Sequence, residues 1–463
     1  LGDEIAQGSR VRVRLIHTWG GSHTIGRFRI SVPTDGQAPT PGRIRDILAV
    51  DHSKRKTADR AALTGYLVER FGGPGITLLS KKVRELEAQL AKAKNAIPDT
   101  MILTSMAKPR QTHVLMRGEY DKPLKERPAL PNVPQALGGL PDDFPRNRLG
   151  LAKWLVSADN PLTARVIVNR FWAQIFGSGM VKTIEDFGSQ GEYPSHPELL
   201  DWLAVEFVES GWNVKELMKT MLMSGAYRQS SRVTPDAIAH DPENRLLAHG
   251  PRFRLDAETI RDSALAASGL LDDTVGGPSV YPYHPDGLWL EINNRPNFSR
   301  AYPHTEEPSQ LYRRSMYTFW KRTVAPPSMA TFDAPEREFC VVKRSRTNTP
   351  LQAFVMLHDP QFVEAARKLG ERMIREVGES PVARITHGFQ LCMARQPTER
   401  ELALLHKALD ESLVRFKRNP DAATKLLSVG QSTSDAALEP AELAAYTTIA
   451  RMILNLSEFI TKG

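Results

Sequence analysis

Beyond residue 146 the chain marks the starts of its helices with proline, and that leaves little choice of architecture. Asn160-Pro161, Ser195-His196-Pro197-Glu198, Thr349-Pro350-Leu351-Gln352 and Asp359-Pro360 each place a capping side chain before proline, while Thr398-Glu399-Arg400-Glu401 and Pro440 add two further starts. Proline fixes φ near the helical value and lacks an N–H that the first turn would leave unpaired. The capping oxygen accepts from another of those orphan donors. Apolar residues follow at helical spacing, as in Leu199, Leu200, Leu203 and Phe207 after Pro197. The expected helices are Asn160 to Phe176 with Gly177 as the stop, one from each later box, Ala257 to Gly269 capped by Asp256, and Pro440 through Phe459. Closely spaced helices with short connections pack on one another and exclude a βαβ sheet. The expected fold class is mainly α, with a multi-helix C-terminal domain over 146–463. The absence of a fixed-period repeat argues against a solenoid.

The preceding third of the chain reads differently. Residues 10–32 alternate polar and apolar side chains around Gly20-Gly21, as two strands would. Two strands bury no core alone, so residues 1–34 are expected to be the C-terminal strands of a truncated β-sandwich of jelly-roll type. Residues 35–145 then form a linking region. Arg43 to Phe71 reads as helix, and Leu78 to Ala96 carries Leu79, Val83, Leu86 and Leu90 at three- and four-residue steps, as one arm of a coiled hairpin would. Met101 to Tyr120 has β character, and Lys122 to Pro145 is proline-rich and extended.

Charge narrows the partners. Lys and Arg total 61 against 53 Asp and Glu, a net +8 spread thinly over 463 residues. That is first a basic surface with no special partner; it tolerates an acidic partner such as an anionic polysaccharide but lacks the concentrated stripe that nucleic acid demands. No apolar run approaches the ~18 residues a membrane span needs. The first residue is Leu1, and an upstream signal peptide is expected outside this segment. Cys340 and Cys392 make neither a CxxC metal site nor a CxxCH haem attachment, so each is expected to pack as a small apolar residue or, in the second reading, to pair with the other.

No GxSxG elbow, HExxH, phosphate loop or dinucleotide fingerprint occurs. Polar residues set among apolar ones stand out instead. Arg165 and Asn169 share a helix face with Trp172 and Phe176; with Asp186 they form either a buried packing network or a polar pocket. His196, at a helix N-terminus whose dipole disfavours imidazolium, is either a neutral base or a residue near a cap. Asp256, Glu258 and Asp262, interleaved with Arg254 and Arg261, suit ion pairing first and acid–base work second. Asp333, Arg337, Arg344 and Asn348 fall in short turns, where they either pair across the domain or, in the preferred reading, line a cleft. Tyr317, Trp320, Tyr283 and Trp289 are candidates for stacking on a ligand or for anchoring their own loops.

Taken together, Asn160-Pro161-Leu162-Thr163-Ala164-Arg165-Val166 into Asn169-Arg170-Phe171-Trp172, Asp186-Phe187-Gly188 through Ser195-His196-Pro197-Glu198-Leu199-Leu200-Asp201-Trp202, Arg313-Arg314-Ser315-Met316-Tyr317, Phe332-Asp333-Ala334-Pro335, Thr347-Asn348-Thr349-Pro350-Leu351-Gln352-Ala353 and Asn455-Leu456-Ser457-Glu458-Phe459 carry a resemblance. Residues 146–463 resemble the C-terminal domain of large secreted planctomycete proteins, domain of unknown function 1553. Residues 10–32 resemble the end of a carbohydrate-binding-like jelly-roll insert. The resemblance implies a secreted, periplasmic or surface location, and upstream a signal peptide, the partner domain of unknown function 1549 and often a cytochrome-c-like domain. Haem c would then be carried only upstream, and no cofactor is expected in this segment. His358 departs from the family's usual Asn before Asp-Pro. The family brings no catalytic residues with it.

Three functions follow as expectations. The first is an accessory, binding or scaffold region of a secreted protein that handles polysaccharide and contacts its own upstream domains. The second is a hydrolase-like enzyme with an Asp/Arg/Asn cleft. The third is a docking partner in electron transfer.

Overall fold

The computed structural model describes residues 41–106, 108–288, 307–321 and 325–463. The chain is mainly helical, as expected. It divides after Ala129 into two compact units. The strands expected in residues 10–32, and Trp289, lie outside the described residues.

In the first unit, α1 spans Gly42–Ala49, α2 Thr57–Phe71 and α3 Pro74–Ala96. The single helix expected over 43–71 is therefore broken. Arg55 causes the break by turning its guanidinium back onto the carbonyls of Ile47, Leu48 and Val50, at 3.0–3.1 Å, which satisfies the acceptors left over at the end of α1. Asp51 accepts from the Ser53 N–H at 2.9 Å and starts one helical turn before α2. Of the β character expected over 101–120, β1 covers His113–Leu115; it pairs antiparallel with β2, Pro123–Pro128, inside the stretch expected to be merely extended.

The second unit has two cores. Helices α4 (Arg148–Leu155), α5 (Thr163–Phe176), α6 (Pro197–Glu209) and α7 (Val214–Met223) come first. The smaller core gathers Val168, Trp172, Phe176, Leu200, Leu203, Phe207, Leu217 and Met221, the apolar faces of α5, α6 and α7. Trp172 stacks on Phe176 at 4.0 Å between ring centroids. Helix α5 opens later than expected, because Asn160 accepts from the Leu162 and Thr163 N–H groups and holds Pro161 in the preceding turn. No capping box forms at Ser195. His196 occupies the cap, and its Nδ1 is held by the Ser195 hydroxyl at 2.9 Å.

The larger core follows β3 (Phe253–Arg254) and is built from α8 (Ala257–Ser268), α9 (Pro350–His358), α10 (Pro360–Arg375), α11 (Pro381–Met393), α12 (Glu399–Arg418), α13 (Pro420–Leu427) and α14 (Pro440–Leu454). Asp256 makes no side-chain cap to α8. The box at Thr398 closes as expected: the Thr398 N–H donates to Glu401 at 2.7 Å and the Glu401 N–H to Thr398 at 3.3 Å. Helix α14 is the axis. Leu443, Ala444, Ala445, Tyr446, Ile449, Ala450 and Ile453 are all buried, so apolar residues surround it on every side. Its small residues admit α10 so closely that a Cβ on Gly370 would stand 3.1 Å from the Thr447 nitrogen.

The expected terminal helix stops at Leu454. A short turn, Ser457–Ile460, then releases the chain into β4, Thr461–Lys462, which pairs antiparallel with β3. This pairing joins the two cores. The Lys462 ammonium reaches the Ile175 carbonyl at 2.7 Å, a cation at the negative end of α5.

Candidate functional site

The junction of the two cores leaves a cleft of about 500 Å³ beside the end of α5. Its shape comes from Gly177. That residue has φ +85, the left-handed region, and a Cβ there would lie 2.6 Å from the Phe253 ring. Only glycine turns the chain while β3 packs this close. The next turn, Ser178 to Val181, is pinned by the fully buried Asn169. Its amide donates to the Val181 carbonyl and accepts from the Val181 N–H, each at 2.9 Å. From the other side, Arg346 lies 4.3 Å over the Phe253 ring and donates to the Gly177 carbonyl at 2.9 Å.

Cations dominate this cleft. Arg170, Lys182, Lys343, Arg344 and Arg346 line it, against the one lining carboxylate of Asp256. Two of the five are partly neutralised: Lys182 pairs with Glu243 at 2.7 Å, and Arg344 grips Glu258 with two donors at 2.7 and 3.2 Å, with Asp256 at 3.8 Å. Arg346 is exposed overall, yet partial covering of its guanidinium disfavours the charged form, an effect that Asp256 opposes. Arg170 and Lys343 are exposed. An arrangement like this holds an anion by charge.

The residues singled out in the sequence are distributed over several places. Asp333 and Arg337 line an open pocket of about 350 Å³ with Glu336 and Lys343, and beside it Asp333 and Thr347, from two separate motifs, come together in a half-buried knot. With φ +60, Asp333 receives Arg254 as an ion pair, the Thr347 N–H at 2.7 Å and the Thr347 hydroxyl at 3.0 Å. Side-chain exposure there is 8% for Arg254 and 16% for Asp333, so this pair ties β3 to the 341–347 segment. Gln352, buried beneath, donates to the Thr331 and Thr347 carbonyls. Asn348 is exposed. Arg337 lies 4.2 Å over Trp320, while Arg313 covers Tyr317 at 3.9 Å. Those two aromatic faces thus meet the protein's own guanidinium groups. The network drawn from Arg165, Asn169 and Asp186 divides: Arg165 pairs with Asp201 at 2.6 Å and pulls that carboxyl below its ordinary pKa, while Asp186 accepts from the Gly188 N–H at 2.7 Å. His196 is in neither the cleft nor the knot.

Arg261 of α8 lies 3.8 Å from the Asp262 carboxylate, while Glu258 takes its ion pair from Arg344. The buried Arg261 guanidinium donates to Gln361 at 2.7 Å, to the Leu311 and Arg313 carbonyls at 2.8 and 3.0 Å and to the Ser315 hydroxyl at 3.1 Å, which fixes the Arg313-Arg314-Ser315 segment. A further polar centre was not singled out from the sequence. Glu364 of α10, fully buried, accepts from the hydroxyls of Tyr283 and Tyr312 and, at 2.5–2.9 Å, from Gln431 and Ser432. Arg367, equally buried, donates to the Ser432 carbonyl at 2.6 Å and lies 3.4 Å from Glu364. Burial first, then Glu364, raises both tyrosine pKa values. Cys340 and Cys392 are both free thiols, and burial pushes Cys392 up to about 12. Among the described residues there is no group of three His, Cys, Asp or Glu side chains placed to hold a metal, and no helix long and apolar enough to cross a membrane.

Fold and cleft together define a helical region with a cationic cleft at the junction of its two cores. Residues 147–409 match the family described as PSD1, Protein of unknown function (DUF1553), and the chain belongs to that family. Neither a curated protein nor a solved structure matches the chain.

Proposed function

We propose that the second unit is a binding region for an anionic polysaccharide, carried by a secreted or envelope-attached protein. One observation carries this reading: five cations against one carboxylate line a preformed cleft whose walls are set by Gly177, Asn169 and Phe253. Repeating carboxylates or sulfates along a glycan would meet Arg170 and Lys343 first, with Arg346 and Lys182 beyond them. The resemblance to secreted planctomycete proteins supports the envelope setting. A hydrolytic role for Asp333 has less support, because its carboxylate is already committed to Arg254 and Thr347.

Titration calorimetry with dextran sulfate, polygalacturonate and neutral dextran tests the reading. The charged polymers are expected to bind and to weaken as salt rises. Exchanging Arg170 and Lys343 together for alanine is expected to weaken binding about tenfold, a loss of ~1.4 kcal/mol. Equal binding of neutral dextran, or affinity untouched by the double substitution, overturns the proposal.

A further inference from the structure

Helix α3 is amphipathic yet has no buried face: every one of its residues except Ser80 is exposed. Ile76, Leu79, Val83, Leu86 and Leu90 are each 51–67% exposed, an unusual density of bare aliphatic side chains along one helix. Their steps of three, four, three and four residues form a heptad seam. Ile76, Val83 and Leu90 fall at position a, Leu79, Leu86 and Ala93 at position d. Twenty-three residues give the helix about three heptads.

The identity of the seam residues and the charges beside it select the occupant. The first two heptads place β-branched Ile76 and Val83 at a with Leu79 and Leu86 at d, the combination that favours two parallel strands. In that arrangement the g residue of one helix faces the e residue five positions on in its partner. Lys82 is at g and Glu87 at e, so a second copy in register sets Lys82 against Glu87 twice, once on each side. We propose that α3 is the dimerisation element of this protein, pairing in parallel with α3 of a second copy. A dimer carries two cationic clefts, so a long polyanion would be held at two points.

Sedimentation equilibrium of the whole chain at micromolar concentration reads the association. A dimer is expected, and Leu79→Lys with Leu86→Lys should give a monomer with unchanged helical circular dichroism. Lys82→Glu alone should weaken the dimer about tenfold, and Lys82→Glu combined with Glu87→Lys should restore it. Leu90→Cys in a Cys340→Ser, Cys392→Ser background should form an intermolecular disulfide, since a faces a only between parallel helices. A monomeric parent chain, a dimer that survives the two lysines, or a charge exchange that does not restore association overturns the proposal. None of these readouts depends on polysaccharide binding.

Discussion

The Glu364 centre and the Gly177 cleft are both made of charged side chains, and they treat charge in opposite ways. Around Glu364 every carboxylate oxygen meets a donor, and Arg367 is enclosed with it. At the cleft, cations outnumber carboxylates, and Arg170, Lys343 and Arg346 are exposed with Asp256 the carboxylate in the lining. A buried charge must be matched because the interior does not solvate it. An exposed one is left unmatched at little cost, since water screens it. The first arrangement fixes structure; the second leaves attraction available for a partner.

The sharpest break of this comparison is Glu364→Ala. It takes away one of the two carboxylates paired with Arg367, leaving Glu371 at 3.4 Å, and removes the acceptor that draws in Tyr283, Tyr312 and the 431–432 turn, so a loss of ~3–5 kcal/mol is expected. Urea unfolding measures it. A loss below ~1 kcal/mol would show that the centre is not matched as the hydrogen bonds indicate.

Neither region was equally legible beforehand. Helix starts were, because a cap acts within one turn: the box at Thr398 closes and Asp359 caps the next helix ahead of Pro360, both as expected. Where tertiary pairing intervenes, local rules lost. Pairing of β3 with β4 ended the last helix early, and Arg55 cut the first expected helix in two. Glu364, Arg367 and Glu371 look in sequence like a solvated charged stripe at three- and four-residue spacing. What buries them arrives from about 50 to 80 residues away on one side and about 65 on the other, and no local signal reports that. The cleft was half visible. Arg344 and Asp256 stand out in the sequence and do line it, whereas Lys182 and Lys343 carry no local signal, since lone basic residues in turns are ordinary.

A second test titrates the matched interior. Burial, then the nearby Arg261, lowers His284 to about 4, while burial raises Asp359 to about 6 against the opposing pull of the Gln361 N–H and Arg261. The two signs are opposite. For His284 the unfolded chain binds the extra proton between about 4 and its ordinary value of 6.5, so the stability it contributes is lost as pH falls through that window. For Asp359 the folded chain holds the proton between the ordinary 3.8 and about 6, so stability falls as pH rises through that window. Between pH 7 and 4.5 the urea midpoint of the parent chain combines both. His284→Gln is expected to flatten any fall in midpoint on acidification, and Asp359→Asn, which keeps the capping oxygen, to steepen it. Shifts of the same sign in both variants would contradict the assignment.

The smallest expected effect carries the other half of the comparison. Arg170→Ala and Lys343→Ala each remove an exposed cation from a like-charged cleft, so stability should change by no more than ~0.5 kcal/mol, and in low salt it should rise because repulsion is relieved. Arg344→Ala in the same cleft should behave differently. It leaves Glu258, 16% exposed, without its guanidinium, and a loss of ~1–3 kcal/mol is expected. Thermal unfolding at low and high salt separates the three. If Arg170 and Lys343 proved as costly to remove as Arg344, these cations would be structural members of the junction, and the charge in the cleft would not be available to a ligand.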